Sequence, residues 1–404
     1  MRPKIKISDY TYNLPENRIA KYPLEKRDDS KILIFKNSLI TENKFSNLIE
    51  LLPKDSIMVF NNTKVVPARL LFRKSTGAII EIFCLEPIDP SEYAMSFASK
   101  NSCSWNVVIG NAKRWKNGAL DFFCDENHID AYKIHLRAEL IKKGSDNSSI
   151  VKFSWDTGIS FSEVLDICGK IPIPPYLKRD TESLDLERYQ TLYAKIKGSV
   201  AAPTAGLHFT DKVLKEIKHK GVPMENICLH VGAGTFVPVK SEYVSEHKMH
   251  TEPFSVSKEF IQHLYNSIND KKVIAVGTTS MRCLESLYYI GCHCANGEEP
   301  GSVSQWEPYE NNNDISAKKA IGSILDYLNG NNMDFLIART AIIIVPGYKF
   351  KIVDILITNF HQPQSTLLLL IGAFIGDKWH EIYDYALSHD YRFLSYGDSS
   401  ILFR

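Results

Sequence analysis

Four times along this chain, an apolar run of β-forming residues ends in a short loop rich in Gly, Asn, Thr or His. The four runs and loops are Ser56–Phe60 with Asn61–Thr63, Ile227–Val231 with Gly232–Thr235, Lys272–Val276 with Gly277–Ser280, and Ile352–Ile357 with Thr358–His361. Helical patterns follow two of the loops, at Met281–Tyr289 and Leu367–Phe374, and a third follows Thr210. Alternating strands and helices predict a three-layer α/β/α domain with a mainly parallel sheet. Ligands of such domains bind beyond the carboxyl ends of the strands, where these loops lie.

Residues 65–155 have a different pattern, in which short β-type runs are separated by turn residues. The runs are Val65–Phe72, Ala78–Leu85, Ser104–Ile109, Ala119–Cys124, Tyr132–Leu140 and Ile150–Trp155. No helical pattern interrupts them, which favours an antiparallel barrel or sandwich, inserted after the first strand of the α/β domain. We therefore expect residues 1–64 and 156–404 to form the α/β domain. Within it, the polar segment 296–313 is expected to be a mobile loop, followed by an amphipathic helix at Ser316–Leu328.

Composition narrows the class of protein further. The chain has 404 residues and a net charge of +1, so any contact with nucleic acid depends on local basic patches. Its eight cysteines are scattered and lack the density of a secreted disulfide scaffold, so we expect them to be reduced thiols in a cytoplasm. The longest apolar stretch, Thr366 to Phe374, is too short to cross a bilayer, which takes about 20 residues, and we see no signal peptide. We expect a cytoplasmic protein.

Nine strings, taken in order, resemble one known family. They are Tyr22–Asp28, Val59–Leu70, Ile171–Tyr176, Gly198–Thr210, Leu229–Phe236, His247–Glu252, Val276–Ser280, Thr358–His361 and Tyr391–Asp398. Their sequences and order resemble the S-adenosylmethionine:tRNA ribosyltransferase-isomerases of queuosine synthesis, and the resemblance extends from Ile5 to the C-terminus. The family's fold, an α/β domain with an inserted β-barrel, agrees with the pattern described above.

The resemblance also implies a reaction. Members move the ribosyl group of S-adenosylmethionine onto the aminomethyl group of 7-aminomethyl-7-deazaguanine at the tRNA wobble position. The sugar is isomerised to an epoxycyclopentanediol, adenine and methionine leave, and the product is epoxyqueuosine-tRNA. S-Adenosylmethionine is thus expected as a co-substrate and tRNA as a partner, with no metal, membrane or obligate protein partner.

The sequence departs from the family pattern in three places. It has Ile109-Gly110-Asn111 where members tend to have a Lys-Pro-Gly turn, and Gln362-Pro363-Gln364 where Leu-Pro-Lys is usual. Residues 292–335 form a longer segment than in the commonest members. These departures concern substrate details more than the class of reaction.

The chemistry needs a base, because the sulfonium of the donor acidifies its C5′ protons. Histidine suits this role, since its pKa of about 6.5 is close to working pH. The candidate catalytic residues are His208, His230, Glu252 and His361. His208 is the strongest candidate because it follows a small-sided string and precedes a helix that begins near Thr210. A structural role is the alternative for each histidine.

Other residues of the matched strings are candidates for binding the substrate. Side-chain amides can both donate to and accept from the edge of a purine, and guanidinium groups bind carboxylates and phosphates. A Gly-Thr-Thr-Ser loop before a helix offers backbone N–H groups and hydroxyls to an anion. These candidates are Arg27, Asn61, Asn62, Thr63, Arg69, Thr204, Gly232, Thr235, His247, His250, Thr278, Thr279, Arg282, Glu285, Asn359 and Arg392. The plainer alternatives are a turn at Asn61–Thr63, a helix cap at Thr278 and Thr279, and a surface pair of Arg282 with Glu285.

A basic run in the predicted barrel, Lys113, Arg114, Trp115 and Lys116, suits tRNA phosphates and the stacking of a base on the Trp ring. A solvated basic face is the alternative.

Three other functions are possible for the whole chain. A zinc hydrolase is suggested by His247, His250 and the Cys292-His293-Cys294 triplet, although no third ligand stands at the standard spacing. The other two are a non-catalytic RNA-binding protein, and a paralogue that uses S-adenosylmethionine on another acceptor.

Overall fold

The computed structural model describes residues 2–123, 134–144, 148–232, 239, 241–310 and 315–404. Its strands are β1 (Lys31–Lys36), β2 (Leu39–Lys44), β3 (Ser56–Asn61), β4 (Thr63–Val65), β5 (Arg69–Arg73), β6 (Ile79–Asp89), β7 (Ser102–Ile109), β8 (Ala119–Phe122), β9 (Arg137–Lys143), β10 (Ser148–Ser154), β11 (Ile196–Ser199), β12 (Met224–Leu229), β13 (Glu252–Ser257), β14 (Lys272–Val276), β15 (Ser302–Val303), β16 (Phe335–Thr340), β17 (Ile355–Asn359) and β18 (Ser399–Phe403). Its helices are α1 (Leu48–Leu51), α2 (Tyr93–Ala98), α3 (Phe161–Cys168), α4 (Ser183–Arg188), α5 (Asp211–His219), α6 (Lys258–Ser267), α7 (Thr278–Ala295), α8 (Glu307–Glu310), α9 (Ala317–Gly330), α10 (Thr366–Ile375) and α11 (Lys378–Ser388).

The largest sheet is ten strands wide, in the order β15-β16-β13-β12-β3-β14-β17-β18-β1-β2. Its four central strands, β12, β3, β14 and β17, run parallel to one another, while strands on both sides include antiparallel pairs. The sheet is therefore mixed, with a parallel centre. Because the central strands share one direction, their carboxyl ends meet at one edge.

Side chains of β3 alternate between the two faces of this sheet. Ile57 and Val59 belong to the apolar core that contains Phe260 of α6 and Leu284 of α7. Met58 and Phe60 pack instead with Val213 and Ile217 of α5 on the opposite face. Helices thus cover both faces, which confirms the predicted three-layer α/β/α class.

A closed barrel of six antiparallel strands, in the order β10-β7-β6-β5-β8-β9, confirms the predicted barrel. Its strands lie between Arg69 and Ser154, and closure leaves no free edge. Large aromatic side chains fill it, among them Phe72, Trp105 and Phe153. In the described parts of the chain, no helix is both long and apolar enough to cross a membrane.

Of the segment predicted as a mobile loop, 296–313, residues 296–310 are described and contain regular structure, and residues 311–313 lie outside the described residues. Strand β15 and helix α8 lie within it, and Trp306 and Glu307 are buried. The Cys292-His293-Cys294 triplet lies at the end of α7, where His293 Nε2 is 2.7 Å from Glu307 Oε1. This hydrogen bond, more than any other effect, raises the pKa of His293.

Glu285 is completely buried in α7 and holds the loop after β16 in place. Its carboxylate accepts hydrogen bonds from the Tyr348 hydroxyl and from the backbone N–H groups of residues 351, 352 and 353, at 2.8 to 3.1 Å. Burial raises its pKa. The predicted substrate-binding role of Glu285 and its alternative, a surface pair with Arg282, are both corrected here, because the structure uses both carboxylate oxygens to satisfy buried donors.

Candidate active site

The loops that follow β12, β14 and β17 open on one cleft, whose empty space, including its opening to solvent, is about 740 Å³. It is lined by Tyr176, Val231, Ser365, Leu367, Leu394, Ser395 and residues 201–205, 277–279 and 358–362. The loops therefore converge at the strand ends, where the sequence analysis expects the ligand to bind, and that binding stays a prediction. Of the predicted substrate-binding and catalytic residues, Thr204, Thr278, Thr279, Asn359 and His361 line this cleft.

One wall of the cleft is the N-terminus of α7. Gly277 has φ of 90°, a conformation that glycine adopts without strain, and lets the chain turn directly from β14 into the helix. The first helical residues are Thr278 and Thr279. The Oγ1 atom of Thr279 is buried and has no hydrogen-bond partner within the described structure. The helix therefore presents an unused hydroxyl and free N–H groups to the cleft, a combination that favours an anion.

Asn359, at the end of β17, has an amide whose orientation is defined by its neighbours. Its Nδ2 lies 3.1 Å from His208 Nε2, and 3.3 and 3.5 Å from the carbonyl oxygens of Leu394 and Asp398. Since carbonyl oxygens only accept, the NH₂ group must face them. The Oδ1 atom of Asn359 is then buried without a partner from the described residues, and it is available to a ligand of the cleft.

Both ring nitrogens of His208 are engaged by neighbouring side chains. Nε2 accepts from the Asn359 amide, so the proton of the neutral ring is on Nδ1, which donates to Ser30 Oγ at 2.9 Å. Burial, followed by the charges of Arg392 and Arg27, lowers the pKa of His208 to about 3. The prediction that His208 is the general base is corrected on these grounds: its lone pair is occupied, and the ring orients Asn359.

His361 lines the cleft with a less constrained ring. Its Nε2 lies 3.0 Å from Thr358 Oγ1, and its backbone N–H donates to the Tyr383 hydroxyl at 3.0 Å. Burial lowers its pKa to about 3, so the ring is neutral at physiological pH. The geometry therefore leaves His361 as a neutral imidazole at the wall of the cleft.

A smaller cavity of about 290 Å³ lies next to the cleft. Arg27, Arg188 and Arg392 line it, and we call it the arginine pocket. Ser395 lines both cavities, and the hydrogen-bonded pair of His208 and Asn359 joins them, since His208 lines the pocket and Asn359 the cleft.

Glu252 and Arg282 form a buried ion pair in which Arg282 Nη1 donates to Glu252 Oε2. Arg282 Nε donates to the Ile342 carbonyl oxygen at 3.1 Å, and the backbone N–H of Gly232 donates to Glu252 Oε1 at 3.3 Å. Arg282 thus pairs with Glu252 and not with Glu285. The pair links β13 to α7 and to the loop after β12, and no residue of it lines the cleft.

His230 lies where the barrel meets the large sheet. Its ring stacks on Tyr93 of α2, with ring centroids 4.5 Å apart and planes 9° from parallel. Burial lowers the pKa of His230 to about 4. The contact is one of packing between α2 and the end of β12, and His230 does not line the cleft.

Asn61 is buried in the position of the predicted turn. Its Nδ2 donates to the Leu229 carbonyl oxygen at 3.0 Å, and its Oδ1 accepts from the backbone N–H groups of Leu229 and Thr63. The side chain thus substitutes for a backbone partner between β3 and β12. The predicted contact of Asn61 with a purine is corrected, because its amide is used within the fold. Asn62 and Thr63 lie beside it, outside the cleft.

Arg69 is engaged in the barrel, where its guanidinium donates to both oxygens of Glu81, at 3.0 and 2.9 Å. Arg69 is not in the cleft, and its predicted role there is corrected.

His247 and His250 also lie outside the cleft. Burial, followed by the charge of His250, lowers the pKa of His247. Among the described residues no group of three His, Cys, Asp or Glu is placed to hold a metal. Thr235 lies outside the described residues.

The basic run on the barrel is only partly a surface feature. Lys113, Arg114 and Lys116 are exposed, whereas Trp115 is completely buried and donates from Nε1 to the Gly118 carbonyl oxygen at 3.0 Å. The predicted stacking of a base on Trp115 is therefore wrong, because its ring belongs to the barrel core. The three cations remain candidates for phosphate contact.

Sequence reasoning missed Ser30 and Arg188, which lie in none of the matched strings. Their role is visible only when distant segments come together, since Ser30 and His208 are 178 positions apart. Ser395 was within a matched string, and its small polar side chain carried no signal of its own.

Sequence comparison with known proteins shows the family of this chain. A family model described as "Queuosine biosynthesis protein" matches residues 7–402. Proteins named S-adenosylmethionine:tRNA ribosyltransferase-isomerase are similar over nearly their whole length. The one from Rickettsia bellii (strain RML369-C) is 38% identical and covers 99% of each chain, and the one from Fusobacterium nucleatum subsp. nucleatum is 39% identical and covers 98% of this chain and 97% of its own. A crystal structure of S-adenosylmethionine tRNA ribosyltransferase from Thermotoga maritima is 26% identical, covering 98% of this chain and 100% of that one, with a TM-score of 0.46.

The protonation of His208 can be tested directly. Its pKa of about 3 predicts that the imidazole nitrogen shifts stay constant from pH 8 to pH 5. The unfolded chain takes up this proton near pH 6.5, so the unfolding free energy should fall as pH drops below that value, by about 1.4 kcal/mol per pH unit for such a histidine. Nitrogen-15 NMR of labelled protein measures the first effect, and urea unfolding at several pH values measures the second.

The matched variant for this test is His208→Gln, in which the fall of unfolding free energy with decreasing pH should be shallower. A titration midpoint for His208 above pH 5.5 would show that the ring is a proton acceptor in the resting protein, contrary to the geometry.

Proposed function

This chain belongs to the queuosine biosynthesis protein family, and we propose that it is a transferase-isomerase that moves the ribosyl group of S-adenosylmethionine onto tRNA. The names of relatives that are 38% identical over their full length support this reaction. The acceptor that we propose is the aminomethyl group of 7-aminomethyl-7-deazaguanine at the wobble position. Adenine and methionine leave, and the product is epoxyqueuosine-tRNA. We place the reaction in the cytoplasm.

The observation that carries the assignment of the site is the pair of unpartnered buried oxygens in the cleft, Thr279 Oγ1 and Asn359 Oδ1. Leaving a buried polar atom without a partner costs about 1–3 kcal/mol, which a bound ligand can recover. We place S-adenosylmethionine in the cleft, with its carboxylate at the N-terminus of α7 and a donor of its nucleoside, an amino or hydroxyl group, at Asn359.

In this arrangement His208 is a positioning residue. Its Nε2 accepts from the Asn359 amide, so the Oδ1 atom of Asn359 is directed at the ligand. Arg392 and Arg27 further disfavour the protonated ring, which could no longer accept that hydrogen bond. A neutral His208 therefore keeps the amide in the orientation that the ligand needs.

We assign the removal of the C5′ proton to His361, which lines the cleft and contacts Thr358 through Nε2. The sulfonium draws electrons from the adjacent carbon, so a neutral imidazole can accept the proton there. General-base assistance of this kind contributes roughly 10² to 10⁴ in rate. The proposed steps are proton transfers and substitutions at carbon, for which the chemistry requires no metal.

The reaction itself is tested by incubating purified protein with S-adenosylmethionine and tRNA that carries the aminomethyl base. Adenine and methionine should appear in equal amounts with the modified nucleoside, as measured by mass spectrometry of digested tRNA. The control is tRNA with unmodified guanine, from which the nucleophilic amine is missing. Equal adenine release from both tRNAs would contradict the assignment.

Dialysis of the protein against a chelator should leave the rate of the reaction unchanged. Loss of activity that only added zinc restores would support the zinc hydrolase alternative.

The role of His361 is tested by His361→Ala in single turnover. The rate should fall at least about 10²-fold, while the Kd of S-adenosylmethionine changes little, because a base acts in the transition state. The matched variant is His208→Ala, which should raise the Kd because Asn359 is no longer oriented. If His208→Ala lowers only the rate and His361→Ala lowers only the affinity, the two assignments are reversed.

A further inference from the structure

The arginine pocket combines three positive charges with a lining that contains no acidic side chain among the described residues. Beside Arg27, Arg188 and Arg392, the lining consists of apolar and small residues, hydroxyl groups and His208. The pocket opens to solvent, and its three partly buried guanidinium groups repel one another unless an anion binds between them. The composition of this pocket therefore indicates an anionic ligand.

Two of the three guanidinium groups are held in place by neutral partners. Arg27 donates to the carbonyl oxygens of Gln190 and Glu187, at 2.6 and 3.0 Å. Arg188 donates from Nη2 to the Leu24 carbonyl oxygen at 2.5 Å, while its Nε is buried without a partner among the described residues. The described structure gives neither of them an ion pair with a carboxylate. Their positive charges are thus positioned but not neutralised.

Of the three arginines, Arg392 is the one that the described structure places in an ion pair with a carboxylate, and the distance in that pair is long. Its Nη2 lies 3.5 Å from Asp398 Oδ1. The carboxylate of Asp398 is engaged at shorter range by backbone N–H groups, with Arg392 N at 2.7 Å and Lys31 N at 3.0 Å. Among the described residues Asp398 makes the one ion pair with these three arginines, and the charge of Glu187 also acts on Arg27, so the positive charges still outnumber the negative ones.

The effect of this imbalance is visible in the neighbouring groups. Burial, followed by the charge of Arg188, lowers the pKa of Arg27, and the charges of Arg392 and Arg27 add to burial in lowering that of His208. An anion bound here would relieve the repulsion and would pair with guanidinium forks, whose geometry matches a phosphate.

We propose that the arginine pocket binds a phosphodiester of the tRNA anticodon loop, next to the nucleotide that enters the cleft, with Arg188 as a contact to its oxygens. This inference rests on the proposed function. The two cavities share Ser395 and are joined through His208 and Asn359, so a nucleotide whose base lies in the cleft has its own backbone beside the pocket. The carboxylate of S-adenosylmethionine is the other anion available. Three cations would repel the sulfonium of that molecule, which lies a few bonds from its carboxylate.

The experiment measures binding of an anticodon stem–loop to the wild-type protein and to Arg188→Gln. The Kd should rise about 10- to 100-fold, as for the loss of a charge-assisted contact, and the salt dependence should become shallower by about 0.7 per lost phosphate contact. The Kd of S-adenosylmethionine should stay the same. Arg404→Gln is the matched control, because it removes one arginine at the C-terminus, where the side chain contacts the Phe350 carbonyl oxygen.

Stem–loops with a single methylphosphonate linkage identify the phosphate. At one linkage the neutral substitution should weaken binding to the wild-type protein and have no further effect on Arg188→Gln. Arg188→Lys, which keeps the charge without the fork, should bind with intermediate affinity, and it remains informative if the Gln variant has a lower melting temperature.

Two results would overturn the inference. One is a raised Kd for S-adenosylmethionine with unchanged tRNA binding, which would assign the pocket to the methionine carboxylate. The other is additivity of Arg188→Gln with every methylphosphonate. A wild-type protein that binds no stem–loop and modifies no tRNA would instead refute the proposed function, so the two failures can be told apart.

Discussion

The parallel alignment of β12, β3, β14 and β17 is the constraint on which the site depends. It brings the carboxyl ends of four strands to one edge, so that residues far apart in sequence share a single cleft. Buried polar side chains then hold the edge together. Asn61 replaces a backbone partner between β3 and β12, and Glu285 satisfies three backbone N–H groups of the loop after β16. With these donors satisfied inside the fold, the oxygens of Thr279 and Asn359 are left for a ligand.

Local pattern was sufficient to predict the fold class and several elements. The predicted strand Lys272–Val276 coincides with β14, and the short runs between turns predicted an antiparallel barrel or sandwich, of which the family resemblance implied the barrel that the structure has. The individual roles of polar residues could not be predicted in the same way, because their partners come from distant segments. Asn61 bonds to a residue 168 positions away, and the donors to Glu285 lie 63 to 68 positions beyond it. Trp115 has basic neighbours in sequence but is enclosed by the barrel, which only closure of the strands decides.

The candidate site combines neutral histidine rings with a neighbouring pocket of positively charged arginines. Burial keeps His208, His230 and His361 unprotonated at physiological pH, so each ring keeps one nitrogen that can accept a hydrogen bond. The three arginines are gathered instead in the arginine pocket, beside the cleft in which we place S-adenosylmethionine. This separation allows one protein edge to bind a cationic donor molecule and a polyanionic acceptor side by side.

The most direct test of this account is a crystal structure of the protein with S-adenosylmethionine. We expect the ligand in the cleft between the N-terminus of α7 and residues 358–361, with one of its donors within about 3.2 Å of Asn359 Oδ1. A ligand bound in the arginine pocket or at the barrel, with Asn359 Oδ1 still unpartnered, would contradict it.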